Sequence, residues 1–241
     1  MALANPKVTA YSEYARVYDQ IFPFDARKFD LIKAVMPGGP LLDLGCATGS
    51  YVRAFLNDGI DAMGVDLDPE MILLAKQKAR EENLHATYVQ ADMLDMMFNQ
   101  KFKGIFSIGN TLVHLPSKDA ISRMLQKLHD WLDEDGTCLI QIINYDRVLA
   151  QHITELPEIN NGDLRFTRRY IHQAHTIDFH THLYYRDISL QSQATLIPLR
   201  SHEMRYIIEK AGFRDIRMYG DFLHTPFEAE SSMILIAVVH R

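Results

Sequence analysis

The chain's strongest chemical signals are three aspartates, each placed where an apolar run breaks into a turn. Asp43 lies two residues before Gly45 in Leu41-Leu42-Asp43-Leu44-Gly45-Cys46-Ala47-Thr48-Gly49. Glycines at such a break let the backbone bend sharply and approach a ligand closely. A dinucleotide loop would carry Gly-x-Gly-x-x-Gly, but Ala47 and Ser50 occupy its second and third glycine positions, and no Gly-Lys-Ser/Thr phosphate loop is present. The turn therefore suits an uncharged nucleoside with an amino-acid tail; the plainer alternative is a glycine turn that only lets a helix pack. Asp66 ends a second apolar run, where a carboxylate can accept from both hydroxyls of a ribose. Its alternative role, capping a helix, is already met by Asp68. Asp92, in Gln90-Ala91-Asp92-Met93, ends a third run. It can accept from an adenine amino group while the Met93 N–H meets a ring nitrogen, although Asp in this position is commonly a turn former.

Further along, Ser107-Ile108-Gly109-Asn110-Thr111-Leu112-Val113-His114-Leu115-Pro116 has the Gly109-Asn110 pair of an irregular turn. Its carbonyls suit an amine or cation, and His114 is a candidate base, against the ordinary fate of a lone histidine in a structural role. Arg165, Arg168 and Arg169 stand near His172, His175, His180 and His182. An inward-facing Arg would suit a substrate carboxylate; a solvated strand face is the plainer fate. His180 and His182 share one strand face, but no nearby Cys completes a familiar metal spacing, so no metal is expected.

Alternating strands and helices must position these groups. Spacing of three and four predicts a helix over 11–21, from Tyr11 through Tyr18 and closed by Pro23, and another over 26–36. Strands follow at 41–44, 61–66, 86–90, 104–108 and 137–144, with helices at 49–57, 70–82 and 118–132 between them. Asp68-Pro69 is a strong helix start. This rhythm implies an α/β doubly wound, mostly parallel sheet. Residues 163–200 instead alternate Thr, Tyr, Ile and His, as two to four antiparallel strands of an inserted sheet would. A helix over 201–211 stops at Gly212, and 213–220 with 232–239 form a closing antiparallel pair.

With 241 residues, 47% hydrophobic and 23% charged, the chain has the composition of a globular protein. Its formal charge of −6 lacks the basic footprint of a nucleic-acid binder. Two cysteines, Cys46 and Cys138, build no disulfide framework and fit a reducing compartment. No signal-peptide profile and no membrane-length apolar run are seen, so a cytoplasmic protein is expected.

Together the Asp43 glycine turn, Asp66, Asp92-Met93 and the element order resemble the class I S-adenosylmethionine (SAM)-dependent methyltransferases. The Ile-Gly-Asn-Thr-Leu-Val-His-Leu segment, the inserted β region and the aromatic N-terminal helix are similar to the glycine/sarcosine N-methyltransferase branch. Ala47 departs from the glycine many members carry there, leaving the Gly45 and Gly49 frame intact. The resemblance implies a Rossmann-like seven-stranded sheet, a helical lid over 1–36, a cofactor domain over 37–145 and 201–241, and a substrate-binding subdomain over 146–200. It implies SAM as cofactor, with S-adenosylhomocysteine as product. The cofactor would be held by Tyr11, Tyr18, Asp43, Gly45, Cys46, Ala47, Gly49, Asp66, Leu67, Met71, Asp92, Met93, Gly109 and Asn110. His114 and Tyr18 would be catalytic, with Asn110, His114 and Arg168 contacting a small acceptor. An amine is the first expectation; an O-methyltransferase, a nicotinamide dehydrogenase and a non-catalytic SAM-binding module are the alternatives. Exposed strands in 163–200 could pair between subunits as a homodimer.

Overall fold

The computed structural model describes residues 14–241. Its larger sheet has seven strands: β1 Leu41–Leu44, β2 Ala62–Asp66, β3 Thr87–Gln90, β4 Phe102–Ser107, β5 Leu132–Ile143, β10 Arg214–Tyr219 and β11 Ile234–His240. They lie in the order β10-β11-β5-β4-β1-β2-β3. All neighbours are parallel except β11, which runs antiparallel to both β5 and β10. β1 is buried at every position and pairs with β2 on one side and β4 on the other. The strand order reverses between β1 and β4, which opens a crevice at their carboxyl ends.

Helices cover both faces. On one side α2 Ala26–Val35, α3 Ser50–Asn57 and α4 Pro69–Glu81 contribute Leu31, Ile32, Val52, Phe55, Ile72 and Ala75 to a buried layer. On the other, α5 Lys118–Trp131 and α7 Ser201–Lys210 contribute Met124, Leu128, Ile207 and Ile208. The caps are those the sequence dictates. Asp68 accepts from the N–H groups of Glu70 (2.9 Å) and Met71 (3.2 Å) with Pro69 next to it, and Ser117 accepts from Ala120 (3.1 Å).

Between β5 and α7 the chain makes the short helix α6 Tyr145–Ala150 and a separate antiparallel sheet. That sheet has β6 Glu155–Asn161, β7 Leu164–His172, β8 Ile177–Tyr185 and β9 Ile188–Leu196, in sequential order. Three of these strands fall in the expected range 163–200, while β6 precedes it and, like α6, is an element the sequence pattern did not announce.

The N-terminal segment departs from the expected continuous helix over 11–21. Its described part is a 3-10 turn, Ala15–Val17, then one α turn, α1 Tyr18–Ile21, with the break at Val17 (φ −116°, ψ 7°). Long-range contacts outweigh helical propensity here. Tyr14 donates or accepts at Thr181 Oγ1 (2.8 Å), Tyr14 and Phe22 set their rings edge-on to Phe166, and Asp19 is held by Thr48 and Lys78. Tyr14 and Ile21 thus form a small core with Leu164, Phe166 and Leu183 of the second sheet. The segment is a strap joining the two sheets. Tyr11 lies outside the described residues.

Candidate cofactor crevice

The crevice at the β1/β4 switch is lined by residues from four strand ends and from the strap. Among them are Gly45, Ala47, Asp66, Leu67, Met71, Asp92, Met93, Gly109, His114 and Tyr18. Each had been singled out from sequence. Val65, Asp68, Ala91, Thr111 and Leu115 also line it and had not been. Their signal was adjacency: each flanks a residue already marked, on the same strand end or turn.

The glycine turn is built by the sheet itself. The N–H groups of Gly45 and Cys46 both donate to the Val65 carbonyl, at 2.8 and 3.0 Å. Gly45 has φ +81°, and a Cβ there would stand 2.5 Å from Thr111 Cγ2, so the position takes neither the backbone nor the bulk of another residue. Ala47 then donates its N–H to Asp66 Oδ2 (2.8 Å), and Asp68 donates to Oδ1 (2.9 Å). Asp66 therefore stitches the turn to the end of β2 while each oxygen keeps acceptor capacity for a ligand. Burial raises its pKa, opposed by those backbone donors. Asp92 holds its own loop by accepting from Leu94 (2.9 Å), and Lys127 closes the loop from α5 through the Leu94 and Met96 carbonyls.

Asp43 sits differently from the other two acids. It is 2% exposed, does not line the crevice, and its Oδ1 has no hydrogen-bond partner. Burial, and secondarily the charge of Asp66, push its pKa well up. A buried carboxyl without a partner, directly behind a ligand turn, fits a cationic group such as the ammonium of a methionine tail. Cys46 and Gly49 likewise lie behind the wall; the Cys46 thiol is buried and its pKa raised by burial. Gly49 takes φ +75° at the start of α3, where its carbonyl accepts from Tyr88 Oη (3.0 Å).

Asn110 is committed to structure rather than to the wall. Its Oδ1 accepts from the Ile143 N–H (2.9 Å) and its Nδ2 donates to Tyr145 Oη (3.0 Å). Arg168 lines a different cavity, described below. Arg165 and Arg169 occupy the opposite face of β7 from Arg168, as strand alternation requires, and pair with Glu158 and Glu155. No group of three His, Cys, Asp or Glu that could hold a metal occurs among the described residues.

The strap closes one side of the crevice. Tyr18 lines it, and the adjacent Asp19 receives the Thr48 hydroxyl on the glycine turn and the Lys78 ammonium on α4. Nothing in the sequence marked Asp19, because its partners are 29 and 59 residues away.

Comparison with known proteins agrees with this geometry. Residues 41–136, which carry the crevice strands, match the methyltransferase domain family. A glycine/sarcosine N-methyltransferase of Aphanothece halophytica is 23% identical over 234 residues, covering 88% of this chain and 82% of that one. A glycine/sarcosine/dimethylglycine N-methyltransferase of Actinopolyspora halophila is 26% identical over 207 residues, but the match spans only 34% of its length. Among solved structures, a SAM-dependent methyltransferase from Clostridium acetobutylicum superposes with a TM-score of 0.82 at 17% identity, covering 95% of this chain and 98% of that one. The family match falls on the strands that shape the glycine turn, Asp66 and Asp92: residues 41–136 match a methyltransferase domain, and the chain as a whole shares the fold of the SAM-dependent methyltransferase on which it superposes.

Proposed function

We propose that the chain is a class I SAM-dependent methyltransferase that methylates the nitrogen of a small polar amine. The observation that carries the reading is the placement of Tyr18 and His114, from the strap and from the 3-10 turn Thr111–His114, in one crevice with Asp66 and Asp92. That leaves a roofed site suited to a small acceptor. The names of the two halophile relatives support nitrogen as the atom methylated.

When bound, SAM supplies a sulfonium methyl open to in-line attack, with a neutral thioether as leaving group. On this reading the chain holds it through Asp66 at the ribose, Asp92 and the Met93 N–H at the base, and Asp43 opposite the ammonium. An attacking amine must be neutral, so His114 orients it and takes its proton, while Tyr18 screens the site from water. The strap within 1–36 serves as the lid, 37–145 with 201–241 as the cofactor domain, and 146–200 as the acceptor cover.

Methyl transfer from labelled SAM to matched amines, hydroxyls and carboxylates tests the reading. N-methyl products are expected, and products methylated only on oxygen would overturn it. Replacing His114 by Gln should lower kcat by about 100-fold, the scale of lost acid–base assistance, with SAM affinity nearly unchanged. An unaltered kcat would remove His114 from the chemistry.

Two further readings concern setting. No helix among the described residues is long and apolar enough to cross a membrane, and a cytoplasmic enzyme fits two unpaired buried cysteines. Among the described residues strand β9 has only β8 as neighbour and carries Ile-Ser-Leu-Gln-Ser-Gln-Ala-Thr-Leu without a charge, an edge that favours pairing with a second copy. Sedimentation equilibrium should give twice the chain mass; a monomer at all concentrations would refute the pairing.

A further inference from the structure

A cavity of about 520 Å3 lies between α6 and the β6–β7 pair, and it shares no lining residue with the cofactor crevice. Arg147 from α6 and Arg168 and Arg169 from β7 line it; Arg169 is paired with Glu155, which leaves two guanidinium groups, those of Arg147 and Arg168. Neither has a carboxylate within ion-pair distance among the described residues. The acids on the same wall are already engaged. Glu155 pairs with Arg169 Nε at 3.0 Å, and Glu158 accepts from Asn160 Nδ2 at 3.0 Å with Arg165 at 3.9 Å.

Arg168 gives one Nη2 proton to the Pro157 carbonyl (2.8 Å), but its Nε is fully enclosed and has no acceptor. Among the described residues the Arg147 side chain has only the Met233 sulfur, 3.0 Å from Nη1. Burial lowers the Arg168 pKa. A guanidinium withdrawn from water without a counter-charge is costly, and a planar fork of N–H donors fits a planar oxyanion. We infer that this cavity binds a small oxyanion, a carboxylate or a phosphate, between Arg147 and Arg168.

The placement also ties the site to the crevice. Strand alternation puts Tyr170 on the same face as Arg168, and Tyr145 precedes Arg147 on α6. Tyr170 and Tyr145 are both buried, and Tyr145 Oη is 3.0 Å from Asn110 Nδ2, beside Gly109 of the crevice wall. Arg147 and Arg168 thus share their elements with two buried tyrosines, one of which hydrogen-bonds to Asn110 in the turn next to the crevice wall. The anion has two sources, a carboxylate on the acceptor itself or a free anion. Only the rate measurements below rest on the proposed amine methylation.

Calorimetric titration of the SAM-loaded protein with sodium acetate, and separately with inorganic phosphate, at constant ionic strength tests the inference. Saturable binding is expected for at least one of them. It should weaken about tenfold or more in both Arg168→Gln and Arg147→Gln, the loss of a charge-assisted hydrogen bond, with SAM affinity unchanged. No saturable binding, or binding indifferent to both substitutions, would overturn it. Rates then separate the sources. An acceptor carboxylate predicts a raised KM in Arg168→Gln for a carboxylated amine but not for its decarboxylated counterpart. A free anion predicts that acetate shifts kcat for both amines in the parent and for neither in the variants. Acetate binding beside inactivity on every amine would leave the anion site standing and sink the amine reading alone.

Discussion

Replacing Asp66 by Ala is expected to weaken SAM binding by at least about tenfold, because a hydrogen bond to a charged group contributes about 1.5–3 kcal/mol and tenfold corresponds to about 1.4 kcal/mol. The carboxylate serves two partners at once. It lines the crevice, and it accepts from the Ala47 N–H at 2.8 Å and the Asp68 N–H at 2.9 Å. Alanine removes the ribose acceptor and also frees two backbone donors that shape the glycine turn and the start of α4. Asn at the same position is the sharper probe. It keeps the volume, but its amide nitrogen must face one of those N–H donors, so it too should bind SAM poorly while folding normally. Calorimetry on both variants decides the matter. Affinity equal to the parent's would take Asp66 out of the cofactor site.

Asp43→Asn is expected to move stability and cofactor affinity in opposite directions. Asp43 is buried, its Oδ1 lacks a partner, and its pKa is raised by burial and then by Asp66. A carboxyl whose folded pKa lies above its unfolded value binds its proton more tightly in the native state. The cofactor-free protein therefore loses stability as pH rises from the ordinary carboxylate value through the raised one, and this contribution is gained back on acidification. Asn abolishes that dependence. An unsatisfied buried group costs about 1–3 kcal/mol, and about 1 kcal/mol moves Tm by about 2–4 °C in a domain of this size, so Asn should melt several degrees higher near neutrality. SAM affinity should fall about tenfold, because the ammonium would lose its charged partner. Melting curves of parent and variant between pH 5 and 8, with and without SAM, check both signs. A variant that melts lower than the parent at neutral pH without SAM would show that Asp43 is already compensated.

The sequence made the crevice legible because its chemistry sits where local structure changes. Asp66, Asp92 and Gly109 follow apolar runs, and Gly45 breaks one, so type and position together marked them. β1 coincides with the expected 41–44, and α4 differs from expectation by one residue at each end, since Asp68 and Pro69 fix its start. What could not be read depends on distant partners. β5 begins at Leu132 rather than 137 and takes in Asp133, Glu134 and Asp135, which resemble a loop, because Leu132 pairs with Phe102 and Arg241 reaches back to the Gly136 and Leu132 carbonyls. The broken strap, the Asp19 contacts and the arginine cavity share that character. In each, residues far apart in the chain define the feature, and no local spacing records them.

The bond between Tyr14 and Thr181 spans 167 residues. In a chain made from its N-terminus, the strap is synthesised before its seat on β7 and β8, which does not exist until the 167 residues to Thr181 have followed. The loop-closure cost of waiting is small, since it grows only with the logarithm of the length. The order of events is the larger consequence. The glycine turn and the strands around it are complete well before their roof, so a nascent chain passes through a stage with an open, exposed crevice, and the strap, although made before those strands, is placed after them.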